Sequence, residues 1–192
     1  GLCTDVHQSR ACTGGEAREV GNAVAVRKGE AKEPRVEAVT DRGCAGVLQL
    51  CGLAETRAEG LTMVMDAMTS GRAAERFAKM VTALGGPVDF MESPTSHLAQ
   101  AEFVGEVFAK VEGAVNRIDT RDLGLALIGL GGGRKRETDR IDMAVGFQDM
   151  AALGETVDGS KPLARIHASS QDALEQAKTA VRAAYHIGEA PK

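Results

Sequence analysis

The stretch GAVNRIDTRDLGLALIGLGGGRKRETDRIDMAVGFQDMAALGETVDGSKPLARIHA, residues 113–168, decides the fold. At its start, Val115 and Ile118 continue an apolar pattern set by Phe103, Val104, Val107, Phe108 and Val111. That pattern predicts two strands broken at Glu112-Gly113. Asp119 or Thr120 can cap a helix that starts near Arg121 and carries Leu123, Leu125, Leu127 and Ile128. Gly131-Gly132-Gly133 stops that helix. Further on, Asp158-Gly159 reads as a tight turn between a strand at Thr156-Val157 and one at residues 163–167. Short strands interleaved with short helices predict an α/β chain of the mixed, α+β kind.

Working outward, residues 170–187 read as a helix, with Asp172 and Glu175 in its first turns and Arg182 and His186 near its end, as the helix dipole favours. Upstream, residues 91–100 read as a connector containing Pro94. This places a domain boundary between 98 and 99. Residues 36–84 read as helical. Val39, Val47, Leu50 and Leu53 form one stripe, and Leu61, Val64, Met65 and Met68 recur at helical spacing up to a stop at Gly71. A third helix points Ala73, Ala74, Phe77, Met80, Val81 and Leu84 inward and ends at Gly85-Gly86-Pro87. Residues 1–38 read as irregular, with residues 22–27 open to either helix or strand.

Composition narrows the function classes. Aromatics are 3% of the 192 residues and Trp is absent, so base stacking on aromatic platforms is not a basis for nucleic-acid binding. The net charge of −4 is spread along the chain and leaves no basic footprint for nucleic acid or an anionic membrane. No apolar run reaches the ~20 residues of a membrane span, so no membrane partner is expected. Cys3, Cys12, Cys44 and Cys51 form no Cys-x-x-Cys pair and His7, His97, His167 and His186 are scattered, so no zinc site is expected. Free thiols in a reducing cytoplasm follow. Cys44 and Cys51, seven apart, would share a helix face, read as buried.

Several runs in order carry a resemblance. They are Ile118-Asp119-Thr120-Arg121, Leu123-Gly124, Gly131-Gly132-Gly133-Arg134-Lys135, Ile141-Asp142, Val145-Gly146, Gly154, Val157, Gly159, Pro162-Leu163 and Ile166-His167-Ala168. Together they resemble the C-terminal domain of the thymidine and pyrimidine nucleoside phosphorylases. Ser70-Gly71-Arg72-Ala73, Gly86-Pro87-Val88-Asp89-Phe90, Gly21-Asn22-Ala23-Val24 and Thr4-Asp5 are similar to elements that precede that domain. The resemblance implies a partial α/β domain over 1–98, a mostly helical remnant of the central phosphorylase domain. An α/β-hammerhead-like C-terminal domain follows over 99–192. It also implies reversible phosphorolysis of a pyrimidine nucleoside, without a cofactor, in a site that closes around phosphate and base.

The family's Lys-His-Ser-Thr-Gly-Gly phosphate loop does not occur here, nor does its Ser-Ile-Met-Ser-Lys base-binding context. No catalytic residue is therefore carried over. Some members hold a potassium ion with a Glu just after the Gly-Asn-Ala motif, but Lys28 stands at that position and would repel a cation; no metal is expected. Against the family's spacing, residues 12–19 read as an insertion or a segment of different origin. Gly131, Gly132, Gly133 and Arg134 are the expected cleft-lining residues. The triplet with Arg134-Lys135 could form an anion nest, but it follows a helix and lacks the rest of a P-loop. A helix stop and loop near the cleft is the favoured reading.

Asp139 and Asp142 could serve as a carboxylate pair, yet capping is favoured. His167 reads as structural, His186 as satisfying a helix dipole, and Met63, Met65 and Met68 as core filler. The leading expectation is the C-terminal portion of a thymidine phosphorylase, inactive by itself. It would work with a missing N-terminal half or a second subunit on phosphate and a pyrimidine nucleoside. The alternatives are a non-catalytic interaction module and a degraded fragment. A truncated α/β domain should also expose a sheet edge or apolar patch and associate.

Overall fold

The computed structural model describes residues 13–31 and 34–189. The chain divides into two compact units, one of Gly1–Val20 with Ala99–Lys192 and the other of Gly21–Leu98. The second break matches a connector rich in small polar residues. The first does not follow the expected 1–98 division: the described residues before Gly21 group with the C-terminal unit. The cause is local pairing, since Gly14 and Phe147 exchange backbone hydrogen bonds of 2.9 and 2.7 Å.

The helical unit contains most of α1 (Glu16–Lys28), then α2 (Pro34–Leu50), α3 (Arg57–Thr69), α4 (Arg72–Ala83) and the single turn α5 (Pro94–His97). The irregular segment expected at the N-terminus is thus helical over α1. Its acidic residues Glu16 and Glu19 lie at the start and Arg27 and Lys28 at the end, complementing the dipole. Lys28 pairs with Glu30 at 2.6 Å. Thr4-Asp5, His7, Cys3 and Cys12 lie outside the described residues.

Helix α3 is fixed at its start by two side-chain caps. Thr56 Oγ1 accepts from the Glu59 N–H at 3.1 Å, and Glu59 Oε2 accepts from the Glu55 N–H at 2.8 Å. Gly71, at φ 79°, separates α3 from α4. Helices α2 and α3 cross closely because Gly60 has no side chain; a Cβ there would sit 2.8 Å from the Ala45 carbonyl oxygen.

The apolar stripes in this unit are not where burial was expected. Ala45 is the one buried residue of α2, while Val47 is 59% and Leu50 89% exposed, and Val39 and Leu53 are exposed with them. Cys44 and Cys51 are free and exposed, not buried. Met63 and Met65 on α3, Met80 on α4 and Leu84 just after it also face outward, so Met63 and Met65 are not core filler, while Met68 is half-buried.

The C-terminal unit holds the core. Strands β1 (Phe103–Val107), β2 (Gly113–Ile118), β3 (Gly146–Gln148), β4 (Thr156–Val157), β5 (Ala164–Ala168) and β6 (Tyr185–Gly188) form two three-stranded antiparallel sheets, ordered β1-β5-β3 and β4-β2-β6. Helix α6 (Thr120–Leu130) follows β2, and α7 (Gln171–Ala184) joins β5 to β6. Helix α7 buries Leu174, Ala177, Val181 and Ala184, one stripe at helical spacing. Gly105 of β1 lets α7 approach, since a Cβ there would be 3.0 Å from a Leu174 methyl. Val115, Val145, Val157, Ala164, Ile166, Ala168, Val181 and Ala184 are fully buried in one core.

Mixed helices and small antiparallel sheets make this an α+β unit. Two expectations are corrected. The final helix ends at Ala184, and its last residues turn into β6 to pair with β2. Asp158-Gly159 does not close a hairpin, because β4 and β5 belong to different sheets. Instead Asp158 Oδ1 accepts from the Ser160 N–H at 2.7 Å, the Ser160 hydroxyl at 2.7 Å and the Lys161 N–H at 3.0 Å, a side-chain-directed turn.

Candidate functional site

The glycine triplet sits at the end of α6. Gly131 adopts φ 98°, and its N–H and that of Gly132 return to the carbonyls of Ile128 and Leu127 at 3.1 and 3.0 Å. A Cβ on Gly132 would meet Leu127 at 2.7 Å, and one on Gly133 would meet Ile128 at 2.8 Å. The loop therefore folds back over the last helical turn, and the glycines are needed for that closeness.

Downstream, Asp139 Oδ2 accepts from the backbone N–H groups of Lys135 and Arg136 at 3.1 and 2.9 Å. Asp142 Oδ1 accepts from the Ala144 N–H at 2.9 Å. Both carboxylates act as backbone caps, and neither is arranged as an acid-base pair. Two amides of the basic run already hold an internal carboxylate, in the place an anion nest would offer to phosphate. Arg134 stands exposed beside them.

A second polar cluster surrounds His167, which β5 sets in register with Val104 of β1 and Gly146 of β3. His167 is 6% exposed. Its Nε2 lies 3.1 Å from Gln148 Oε1; an amide oxygen only accepts, so the proton is on Nε2. Burial, then the charges of Arg18 and Arg165, lower its pKa to about 4, with Asp149 opposing. Arg165 bridges Glu106 and Asp149 at 3.3 and 3.2 Å. Arg18 donates to the Ala99 carbonyl at 2.9 Å and to Gln100 at 3.4 Å. Among the described residues its buried Nε has no partner, and burial lowers its pKa. This arrangement fits a neutral, structural imidazole. Sequence reasoning missed the arginines because Arg18 and His167 are far apart in the chain.

A third cluster lies where β2 meets β6. His186 Nε2 is 2.7 Å from Asp119 Oδ2 and 2.7 Å from Arg117 Nη2, and Arg117 is 3.3 Å from Asp119. The helix-dipole role expected for His186 is replaced by this pairing, because residue 186 is in a strand. One ring nitrogen cannot donate to Asp119 and accept from Arg117 at once, so the tautomer decides between them.

Among the described residues, no three His, Cys, Asp or Glu side chains gather to hold a metal. An open groove of about 430 Å³ runs between α6 and α7, lined mainly by small apolar residues such as Ala126, Gly129, Ala177 and Ala180. It lacks the convergent polar groups of a small-molecule site. No helix among the described residues is long and apolar enough to cross a membrane.

Residues 114–188 match the family model of the pyrimidine nucleoside phosphorylase C-terminal domain. The match runs from β2 through β6 and includes the glycine loop, His167 and the Arg117–Asp119–His186 cluster. Over these residues the chain is similar to the C-terminal domain of the pyrimidine nucleoside phosphorylases.

Proposed function

We propose that this chain supplies the C-terminal wall of a thymidine phosphorylase, which converts thymidine and phosphate to thymine and 2-deoxyribose 1-phosphate. The observation that carries this reading is the family match over residues 114–188. The phosphate-loop and base-binding motifs of the family are missing from the 192 residues, so the groups that touch the reacting atoms belong to another segment or chain. The loop Gly131, Gly132, Gly133 and Arg134 lines the cleft in the assembled enzyme. Its part is to close the site and to place the Arg134 guanidinium near the entering substrates, since electrostatic stabilisation in a closed, dry site is the larger catalytic effect. The chain works in the cytoplasm and needs neither cofactor nor metal.

The exposed apolar faces of α2, α3 and α4 support a covered surface in the assembled protein. They also support the second reading, a non-catalytic assembly module built on the same domain. Phosphate-dependent release of thymine from thymidine separates the two. The isolated chain should release none. Adding a separately produced segment that carries the phosphate and base motifs should restore release. Turnover by the isolated chain would show that the chemistry is not elsewhere, and failure of every such segment to restore it would favour the assembly module.

A further inference from the structure

Asp158-Gly159 is the one Asp-Gly sequence in the chain. It lies in the loop between β4 and β5, bounded by the fully buried Val157 and the nearly buried Leu163. Gly159 is exposed, and a Cβ there would meet nothing within 4 Å. Among the described residues, nothing accepts a hydrogen bond from the Gly159 N–H. A glycine amide with open space around it can rotate toward the preceding side chain, because glycine imposes the least steric limit on its own φ and ψ.

We propose that Asp158 is a spontaneous modification site, an aspartate that isomerises through a succinimide, and that Ser160 is the residue that slows it. The Gly159 nitrogen attacks Asp158 Cγ, forming a C–N bond. One carboxyl oxygen leaves with two protons as water. Water then opens the five-membered ring at the former backbone carbonyl, which transfers the chain to the side-chain carbonyl and leaves a new α-carboxylate. One water is released and one consumed, and nothing is oxidised or reduced.

The loop opposes this reaction at two points. The carboxylate must be protonated before its oxygen can leave, and three hydrogen bonds to Asp158 Oδ1 favour the ionised form. Their effect is to hold the carboxyl below the usual aspartate range, with the Ser160 hydroxyl the largest cause and the Ser160 and Lys161 amides next. The same bonds fix Cγ toward residues 160 and 161 and away from free rotation. Glu155 and Lys161 form an ion pair across the loop's ends, which keeps those amides in place. The product would insert a backbone methylene next to Val157, whose partner across the sheet is Gly113.

The test is peptide mapping of the whole chain after prolonged incubation at neutral pH in ¹⁸O-water, with isoaspartate identified by fragmentation at residue 158. Folded protein should gain isoaspartate and ¹⁸O at Asp158. Ser160→Ala, which removes the hydroxyl donor and keeps the backbone, should raise the rate roughly tenfold, about 1.4 kcal/mol. Asp158→Glu should abolish the product, since its longer side chain does not form the five-membered ring. Isoaspartate confined to a urea-unfolded control would overturn the site. An unchanged rate in Ser160→Ala, with folding verified by the Tyr185 signal, would overturn the role of Ser160.

Discussion

His167 offers a test of the C-terminal unit that needs no partner. Its imidazole is 6% exposed and its pKa falls from 6.5 to about 4. The sign follows directly. The unfolded chain takes up a proton near pH 6.5, and the folded unit resists it until about pH 4, so the unfolded state binds more protons between these values. Stability is complete above pH 6.5, declines as pH falls through that window, and levels off below pH 4. At 1.36 kcal/mol per unit, the loss is about 2 kcal/mol at pH 5 and approaches roughly 3 kcal/mol at its limit.

Urea unfolding at pH 7.5 and pH 5, followed by Tyr185, measures it. Tyr185 is the only tyrosine, Trp is absent, and its ring is buried in β6, so its signal reports this unit. His167→Gln keeps a donor for Gln148 and removes the titration. The wild type should lose about 2 kcal/mol more than the variant between the two pH values. Other histidines and carboxylates cancel in that difference. Equal losses would mean that the ring is hydrated and titrates normally, and the burial argument would be wrong.

Three further outcomes follow from named contacts. Tyr185→Phe removes the hydroxyl donated to the Ala151 carbonyl at 3.1 Å and should lower stability by about 1 kcal/mol; burial also raises the phenol pKa, so phenolate absorbance should rise only as the unit unfolds. Gly60→Ala places a Cβ 2.8 Å from the Ala45 oxygen and should cost about 1–3 kcal/mol by forcing α2 from α3, seen as an earlier loss of helical circular dichroism. Val47→Lys with Leu50→Lys should reduce concentration-dependent association of the isolated chain in light scattering, because both side chains are exposed on α2; unchanged association would place the contact elsewhere.

What could be read from sequence was mostly local. The two strands broken near Gly113, the helix starting near Arg121, its stop at Gly131 and the start of the helix near residue 170 follow from a cap, glycines, charge placement and period. What escaped reading depends on distant partners. Residues 185–188 continue a helical pattern, yet β2 captures them as a strand. Asp158-Gly159 has the chemistry of a hairpin turn, but β4 and β5 are claimed by different sheets. On α2, periodicity locates an apolar face without saying what covers it, and Ala45, the least apolar choice, is the buried residue because Gly60 approaches it.

The glycine triplet shows how far a motif carries a function. Its glycines are explained by the fold alone: a left-handed residue at Gly131, and Gly132 and Gly133 pressed against Leu127 and Ile128. The amides that a phosphate would use are partly spent on Asp139. An anion entering there would have to displace a carboxylate of the same sign, whose hydrogen bonds are charge-assisted and therefore among the stronger ones. The features left facing outward are the Arg134, Lys135 and Arg136 side chains. The glycines act by keeping the turn that presents these cationic side chains close to α6.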